Sequence, residues 1–281
     1  MRVVSTIDEV RRWVWQERQQ GATIGLVPTM GYLHEGHLSL VQRAREQCDR
    51  VVMSIFVNPL QFGPQEDFDR YPRDLERDAQ LAREAGVDLI FHPPVEEMYP
   101  RPILTHVSVD KLSETLCGVS RPGHFRGVAT VVTKLFHIVQ PDRAYFGEKD
   151  IQQLRVIEQM VEDLNFPLVV VGCPIVREPD GLAKSSRNVY LSPAERQQAP
   201  VIYASLRRAQ EAFTAGERDG KKLVSLVREG IAQAPDAKID YVRLVDRYTL
   251  DDVLRVERPA ILAAAVRFGS TRLIDNVILG V

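Results

Sequence analysis

Ala22-Thr23-Ile24-Gly25-Leu26-Val27-Pro28-Thr29-Met30-Gly31-Tyr32-Leu33-His34-Glu35-Gly36-His37 is the stretch on which the reading of this chain turns. Residues 22–27 form a short apolar run rich in strand formers, stopped by Pro28, and residues 36–48 continue with helical spacing. A loop that leaves a strand and opens a helix aims open backbone N–H groups and the positive end of a dipole at its ligand. Gly31 and Gly36 carry no Cβ, so a phosphate can approach the backbone closely. His34 and His37 are three apart and share a face of the first turn, where two imidazoles can donate to charge that grows in a transition state. Either histidine alone also reads as a cap or a packing residue. Zinc would need more ligands: the stretch is not H-E-x-x-H, and no cysteine or carboxylate cluster completes a site.

The same alternation of strand and helix extends outward. Thr6 and Glu9 form a capping box ahead of Ile7, Val10, Trp13 and Val14, which recur at helical spacing. Strand patterns at 51–57, 87–91, 143–146 and 168–171 alternate with helical patterns at 73–86, 124–139 and 150–164. Such alternation predicts βαβ units on a parallel sheet, an α/β class whose ligands sit beyond the carboxyl ends of the strands. After Arg177 the texture changes. Ser192 with Glu195 opens one long helix, residues 221–233 read as another, and strand patterns follow at 238–245, 260–268 and 272–279. This second region reads as a smaller α+β domain.

Composition narrows the class. In 281 residues, 36 Lys and Arg face 38 Asp and Glu, a net charge of −2, which argues against nucleic acid as a main partner. No apolar run approaches the roughly 20 residues that span a bilayer, and the start lacks a secretory pattern. Cys48, Cys117 and Cys173 lie far apart without a C-x-x-C pair, which suits the reducing cytoplasm.

Three further loops carry polar chemistry. Gly147-Glu148-Lys149-Asp150 follows a strand and opens a helix. A cation there opposes the helix dipole unless it neutralises a polyphosphate, and Gln153 lies four residues on, on the same face. Lys184-Ser185-Ser186-Arg187-Asn188 sets two hydroxyls between two cations, a set that suits phosphate oxygens. Asn58 and Gln61 end a buried strand among apolar residues, where neutral amides can orient a small hydroxy acid without quenching its carboxylate. Taken singly, the first two also read as solvated loops and the third as turn chemistry.

Together these stretches resemble the pantothenate synthetases, members of the nucleotidylyltransferase superfamily with its H-x-G-H motif. Residues 28–37 resemble that family's P-T-M-G-x-L-H-x-G-H block. Residues 54–61, 120–128, 147–153, 185–188 and 273–276 resemble its other blocks, in order. The resemblance implies ATP-dependent condensation of pantoate with β-alanine through a pantoyl-adenylate, releasing AMP and pyrophosphate. It implies a Rossmann-like domain over 1–176 that binds nucleotide and pantoate, and a C-terminal domain over 177–281 that closes over the ATP site. ATP would meet Met30, Gly31, Tyr32, Leu33, His34, Glu35, Gly36 and His37. Gly147, Glu148, Lys149, Asp150, Val176, Lys184, Ser185, Ser186 and Arg187 would complete the nucleotide set. His37, His34 and Lys149 would be catalytic, Gln61 and Gln153 would hold pantoate, and Gln61 would also meet β-alanine. Mg2+ is expected on the phosphates with no protein ligand assigned, and a cytoplasmic homodimer is expected. The rivals are a nucleotidylyltransferase acting on a phosphate ester, and a nucleotide-sensing or tRNA-binding module.

Overall fold

The structure is a computed structural model and describes residues 1–64 and 66–280. Val281, the last residue of the expected second domain, lies outside that range. The chain divides into two compact units. One comprises Met1–Glu114, Gly118–Glu148 and Gln153–Pro174; the other comprises Thr115–Cys117, Lys149–Gln152 and Ile175–Val281.

In the first unit, β1 (Arg2–Val4), β2 (Ile24–Thr29), β3 (Arg50–Ile55), β4 (Leu89–Phe91), β5 (Arg143–Gly147) and β6 (Val169–Cys173) form one sheet. Its order is β1-β4-β3-β2-β5-β6, and every neighbouring pair is parallel. The expected Rossmann-like α/β class is observed. The connecting helices are α1 (Ile7–Gln19), α2 (Glu35–Gln47), α3 (Leu75–Ala85), α4 (Val95–Met98), α5 (Cys117–Ser120), α6 (His124–Val139) and α7 (Ile151–Asp163). The capping box of α1 forms as its sequence predicts, with Thr6 accepting from the Glu9 N–H and Glu9 from the Thr6 N–H.

Helices α2 and α3 cover one face of the sheet, setting Leu40, Val41, Ala44 and Ala82 against Val27, Val51, Met53, Ile55 and Ile90. The alternate residues Ile24, Leu26, Val52 and Leu89 are also fully buried, so both faces are covered. Each such side chain contributes roughly 1.5–3 kcal/mol of burial. The sequence shows these strands as continuous apolar runs for this reason.

The strand order changes direction at β2, with β3 and β4 on one side and β5 and β6 on the other. Ligands of open α/β sheets bind beyond the carboxyl ends of the strands at this switch point. β2 pairs β3 along its whole length, from Ile24↔Arg50 to Thr29↔Ile55, but meets β5 at Gly25↔Arg143 and Leu26↔Ala144. The two strands part before Pro28, so a residue without an N–H falls where β2 has no partner on the β5 side. That is why β2 runs through Pro28 to Thr29 instead of ending before the proline, as the sequence suggested.

In the second unit, β7 (Ala237–Asp246), β8 (Ala260–Phe268) and β9 (Thr271–Leu279) form an antiparallel sheet in the order β7-β8-β9. Gly269-Ser270 joins β8 to β9, and Gly269 at φ +53° takes the left-handed conformation a two-residue hairpin requires. Helices α8 (Pro193–Gln198), α9 (Val201–Thr214) and α10 (Gly220–Ile231) complete the unit. Leu206, Ala209, Leu223, Val227, Leu262 and Ala264 lie in its core. The single long helix expected after Ser192 is two helices, because Pro200 cannot donate to the carbonyl of residue 196 and its ring crowds that turn.

Candidate active site

The loop from β2 to α2 is held from α3. Asp78, fully buried, accepts from the N–H groups of Tyr32 and Leu33, each at 2.7 Å. Burial pushes its carboxyl above the ordinary aspartate range, against the pull of those two donors and of Arg77. The adjacent Arg77 donates to the Leu33 carbonyl at 2.9 Å and lies over the Tyr32 ring. Gly31 sits at φ +85°, and a Cβ there would stand 3.0 Å from both Asp78 Oδ2 and Ile55 Cγ2. Its glycine is required by backbone conformation and packing before any ligand is considered.

His34 is the N-cap of α2, and His37 lies one turn in; their ring centroids are 4.1 Å apart. Nδ1 of His34 accepts from the Gly36 N–H at 3.1 Å, and Nδ1 of His37 accepts from the His34 N–H at 3.3 Å. Both neutral rings therefore carry their proton on Nε2, which makes that atom the donor. The sequence reading expected open backbone N–H groups on this turn. The N–H groups of Tyr32, Leu33, His34 and Gly36 are instead bonded within the protein, and His37 N–H donates to the His34 carbonyl. Asp78 and the paired caps take these N–H groups, which leaves the imidazole Nε2 atoms as the donors that the two histidines can offer an anion.

Beyond β3, Asn58 caps a short 3₁₀ turn, Pro59–Gln61. Its Oδ1 accepts from the Leu60 N–H and the Tyr99 hydroxyl, and its Nδ2 donates to Gln61 Oε1 and the Gly127 carbonyl, each at 3.1 Å. Asn58 is thus fully engaged by the protein; of the two amides expected to face a hydroxy acid, it is the turn residue. Gln61, held through Oε1, presents its Nε2, which donates to the Met30 sulfur at 3.2 Å.

The 3₁₀ turn packs against α6, where Gly127 allows the contact. A Cβ there would fall 2.2 Å from the Leu60 carbonyl oxygen. Arg121 forks onto Glu66 at 2.7 and 2.6 Å and donates to His124 Nε2 at 3.0 Å, while His124 Nδ1 bonds the Gln61 carbonyl at 2.8 Å. Burial pushes the Glu66 carboxyl up, but the Arg121 hydrogen bonds and charge outweigh it and hold the group below the ordinary glutamate range.

In the second unit, Lys149 lies in a 3₁₀ turn, Glu148–Asp150, that leads into α7. The α-helical spacing that would stack it with Gln153 does not apply there. Its ammonium stands 3.6 Å from Asp150, and its carbonyl accepts from Asn276 Nδ2 at 3.2 Å. Next to Asn276, buried Asp275 receives a two-pronged contact from Arg177 at 2.6 and 2.9 Å, and Arg177 stacks on Tyr203. The Val176 carbonyl accepts from the Lys184 N–H, and the Lys184 ammonium pairs with Glu178 at 3.1 Å. Ser185 caps the 3₁₀ turn Ser186–Tyr190 by accepting from the Arg187 N–H. Gly147 ends β5, and Gln153 lies half-buried on α7 beside the buried Gln152.

The sequence matches the Pantoate-beta-alanine ligase family model over residues 2–278. The chain belongs to that family. It is 60% identical over 280 residues to the pantothenate synthetase of Pelotomaculum thermopropionicum, covering 100% of this chain and 99% of the relative. Its fold superposes on the crystal structure of pantothenate synthetase from Thermus thermophilus with a TM-score of 0.94 and 52% identity, covering 99% of each chain. The Francisella tularensis pantoate–β-alanine ligase, solved in complex with beta-gamma ATP and β-alanine, matches with a TM-score of 0.82 and 34% identity over 99% of this chain and 97% of that one.

Asp78, Tyr99 and Glu66 escaped the sequence reading of this ligase-family chain, while Arg121, His124 and Gly127 fell in the block at 120–128 without an assigned role. One signal was available for Asp78. It shares the stripe of Leu75 and Ala82 on α3, and a charge on an apolar face asks for a partner.

Proposed function

We propose that this chain is an ATP-dependent pantoate–β-alanine ligase that works through a pantoyl-adenylate. The observation that carries the reading is the family match along residues 2–278, with the H-x-G-H turn at the mouth of the switch point. A pantoate carboxylate oxygen attacks the α-phosphorus of ATP, the bridge to the β-phosphate breaks, and pyrophosphate leaves. The amine of β-alanine then attacks the acyl carbon, the bond to AMP breaks, and the amine proton passes to water. Activation is needed because a carboxylate is a poor electrophile and AMP a good leaving group.

Within this reading His34 and His37 donate from Nε2 to phosphate oxygens as charge develops, with no covalent bond to the protein. Residues 30–37, Gly147, Glu148, Lys149, Asp150, Val176, Lys184, Ser185, Ser186 and Arg187 serve the nucleotide, Lys149 as a cation for the phosphates. Gln61 and Gln153 hold pantoate, and Gln61 later meets β-alanine. Gln61 meets substrate with Nε2 as a donor, since its Oε1 is turned toward Asn58. A thioether is a weak acceptor, so a pantoate oxygen outcompetes Met30 for Gln61 Nε2.

Among the described residues no cluster of three or more His, Cys, Asp or Glu offers a resident metal site. Mg2+ would ride on the ATP phosphates, held through few protein groups at most. The buried cysteines form no disulfide, which supports a reducing cytoplasm, and no helix among the described residues is long and apolar enough to cross a membrane. A homodimer completes the proposal, on the family resemblance. The test is product analysis. Over many turnovers AMP, pyrophosphate and pantothenate should form in equal amounts and only with both pantoate and β-alanine present, pantoate and ATP alone giving a single turnover of pyrophosphate; ADP as the stoichiometric product would overturn the reading.

A further inference from the structure

We infer that Glu66, Arg121 and His124 are positioning residues that set the backbone of Gln61 and thereby its grip on pantoate; the inference rests on the assignment of Gln61 to pantoate. Gln61 ends a 3₁₀ turn of three residues, whose backbone bonds from Gln61 N and Phe62 N are both 3.3 Å long. So short a turn does not hold its own geometry. Its orientation comes from outside, at two points. Asn58 fixes the side-chain oxygen, and His124 fixes the main-chain oxygen from the first turn of α6.

The chemistry of the partners fixes the state of His124 twice over. A guanidinium can only donate, so Nε2 must accept from Arg121; a carbonyl can only accept, so Nδ1 must donate to Gln61. Both conditions select the neutral Nδ1–H ring. Arg121 is aimed in turn by Glu66, five residues beyond Gln61, so the fork also ties Glu66 to the segment that precedes α6. Arg121 Nη2 lies 3.4 Å from the Gln61 carbonyl as well. With its charge matched by Glu66, Arg121 orients this corner without placing a bare cation against a carboxylate that has to remain nucleophilic.

The test compares KM for pantoate and for ATP in the full-length enzyme across His124→Phe, His124→Asn, Glu66→Gln and Gln61→Ala, with folding checked by melting temperature. His124→Phe removes the donor. His124→Asn restores an N–H near the position of Nδ1. The expected result is a pantoate KM raised about tenfold in His124→Phe and about threefold in Glu66→Gln, with ATP KM within about twofold, and recovery of most of the loss in His124→Asn. A folded His124→Phe enzyme with unchanged pantoate KM, an equal rise in ATP KM, or no advantage of Asn over Phe would overturn the inference. If His124→Phe does not fold, Glu66→Gln and His124→Asn decide: unchanged pantoate KM in Glu66→Gln overturns it. An unchanged pantoate KM in Gln61→Ala would instead remove Gln61 from the pantoate site.

Discussion

The amide nitrogen of Asn58 donates to Gln61 Oε1 at 3.1 Å, and this bond turns the oxygen end of the Gln61 amide toward Asn58 and leaves its Nε2 to meet other groups. Asn58 is 1% exposed and has no capacity left for a ligand, yet it decides which end of Gln61 faces outward.

Asn58→Asp puts an oxygen where Nδ2 faces two acceptors, Gln61 Oε1 and the Gly127 carbonyl. Gln61 should then rotate its amide and offer Oε1 to pantoate. Pantoate KM is expected to rise about tenfold or more, with ATP KM changed less than about twofold. Steady-state kinetics with each substrate varied separately checks this. An effect confined to ATP would show that Asn58 does not govern Gln61.

Asp78→Asn should leave one amide donor facing the N–H of Tyr32 or Leu33. A buried mismatch of this kind costs about 1–3 kcal/mol of stability and loosens the loop that carries both histidines. Adenylate formation, followed by single-turnover pyrophosphate release, should slow by about tenfold to a hundredfold. A folded variant with wild-type single-turnover kinetics would show that Asp78 serves only the fold.

The strand–helix alternation was legible because both faces of the sheet are covered, which leaves continuous apolar runs between helical stripes. β1 was not, since three residues carry no period and Arg2–Val4 is ordered by pairing with β4. Pro200 did mark the break in the helix after Ser192, but the capping box drew the reading past it. His34 and His37 stood out by residue type and place, as did the pair of amides Asn58 and Gln61. Asn58 could not be separated from Gln61, because two amides three apart look equivalent until Tyr99 and Gly127, distant in sequence, engage one of them. Lys149 was read onto a helix that begins only at Ile151.

The Glu66–Arg121 pair makes a pH prediction with a definite sign. The folded carboxyl titrates below the ordinary value of 4.5, so its contribution is complete above that value and is lost as the pH falls through the lower, folded one. The stability gap between wild type and Glu66→Gln, about 1–3 kcal/mol for a forked charged pair with both side chains largely buried, should stay level from neutrality down to the ordinary glutamate value and shrink below it. Melting temperatures of both proteins across that range measure it. A gap that widens in acid would contradict the pairing.

Attack of the pantoate carboxylate on the α-phosphorus of ATP transfers one carboxylate oxygen to AMP, and that transfer can be followed by isotope. Pantoate carrying 18O in both carboxylate oxygens is turned over with ATP and β-alanine, and the products are read by mass spectrometry. One labelled oxygen should appear in AMP and the other in the amide carbonyl of pantothenate. Unlabelled AMP, with the second label found in pyrophosphate, phosphate or water instead, would contradict the adenylate mechanism.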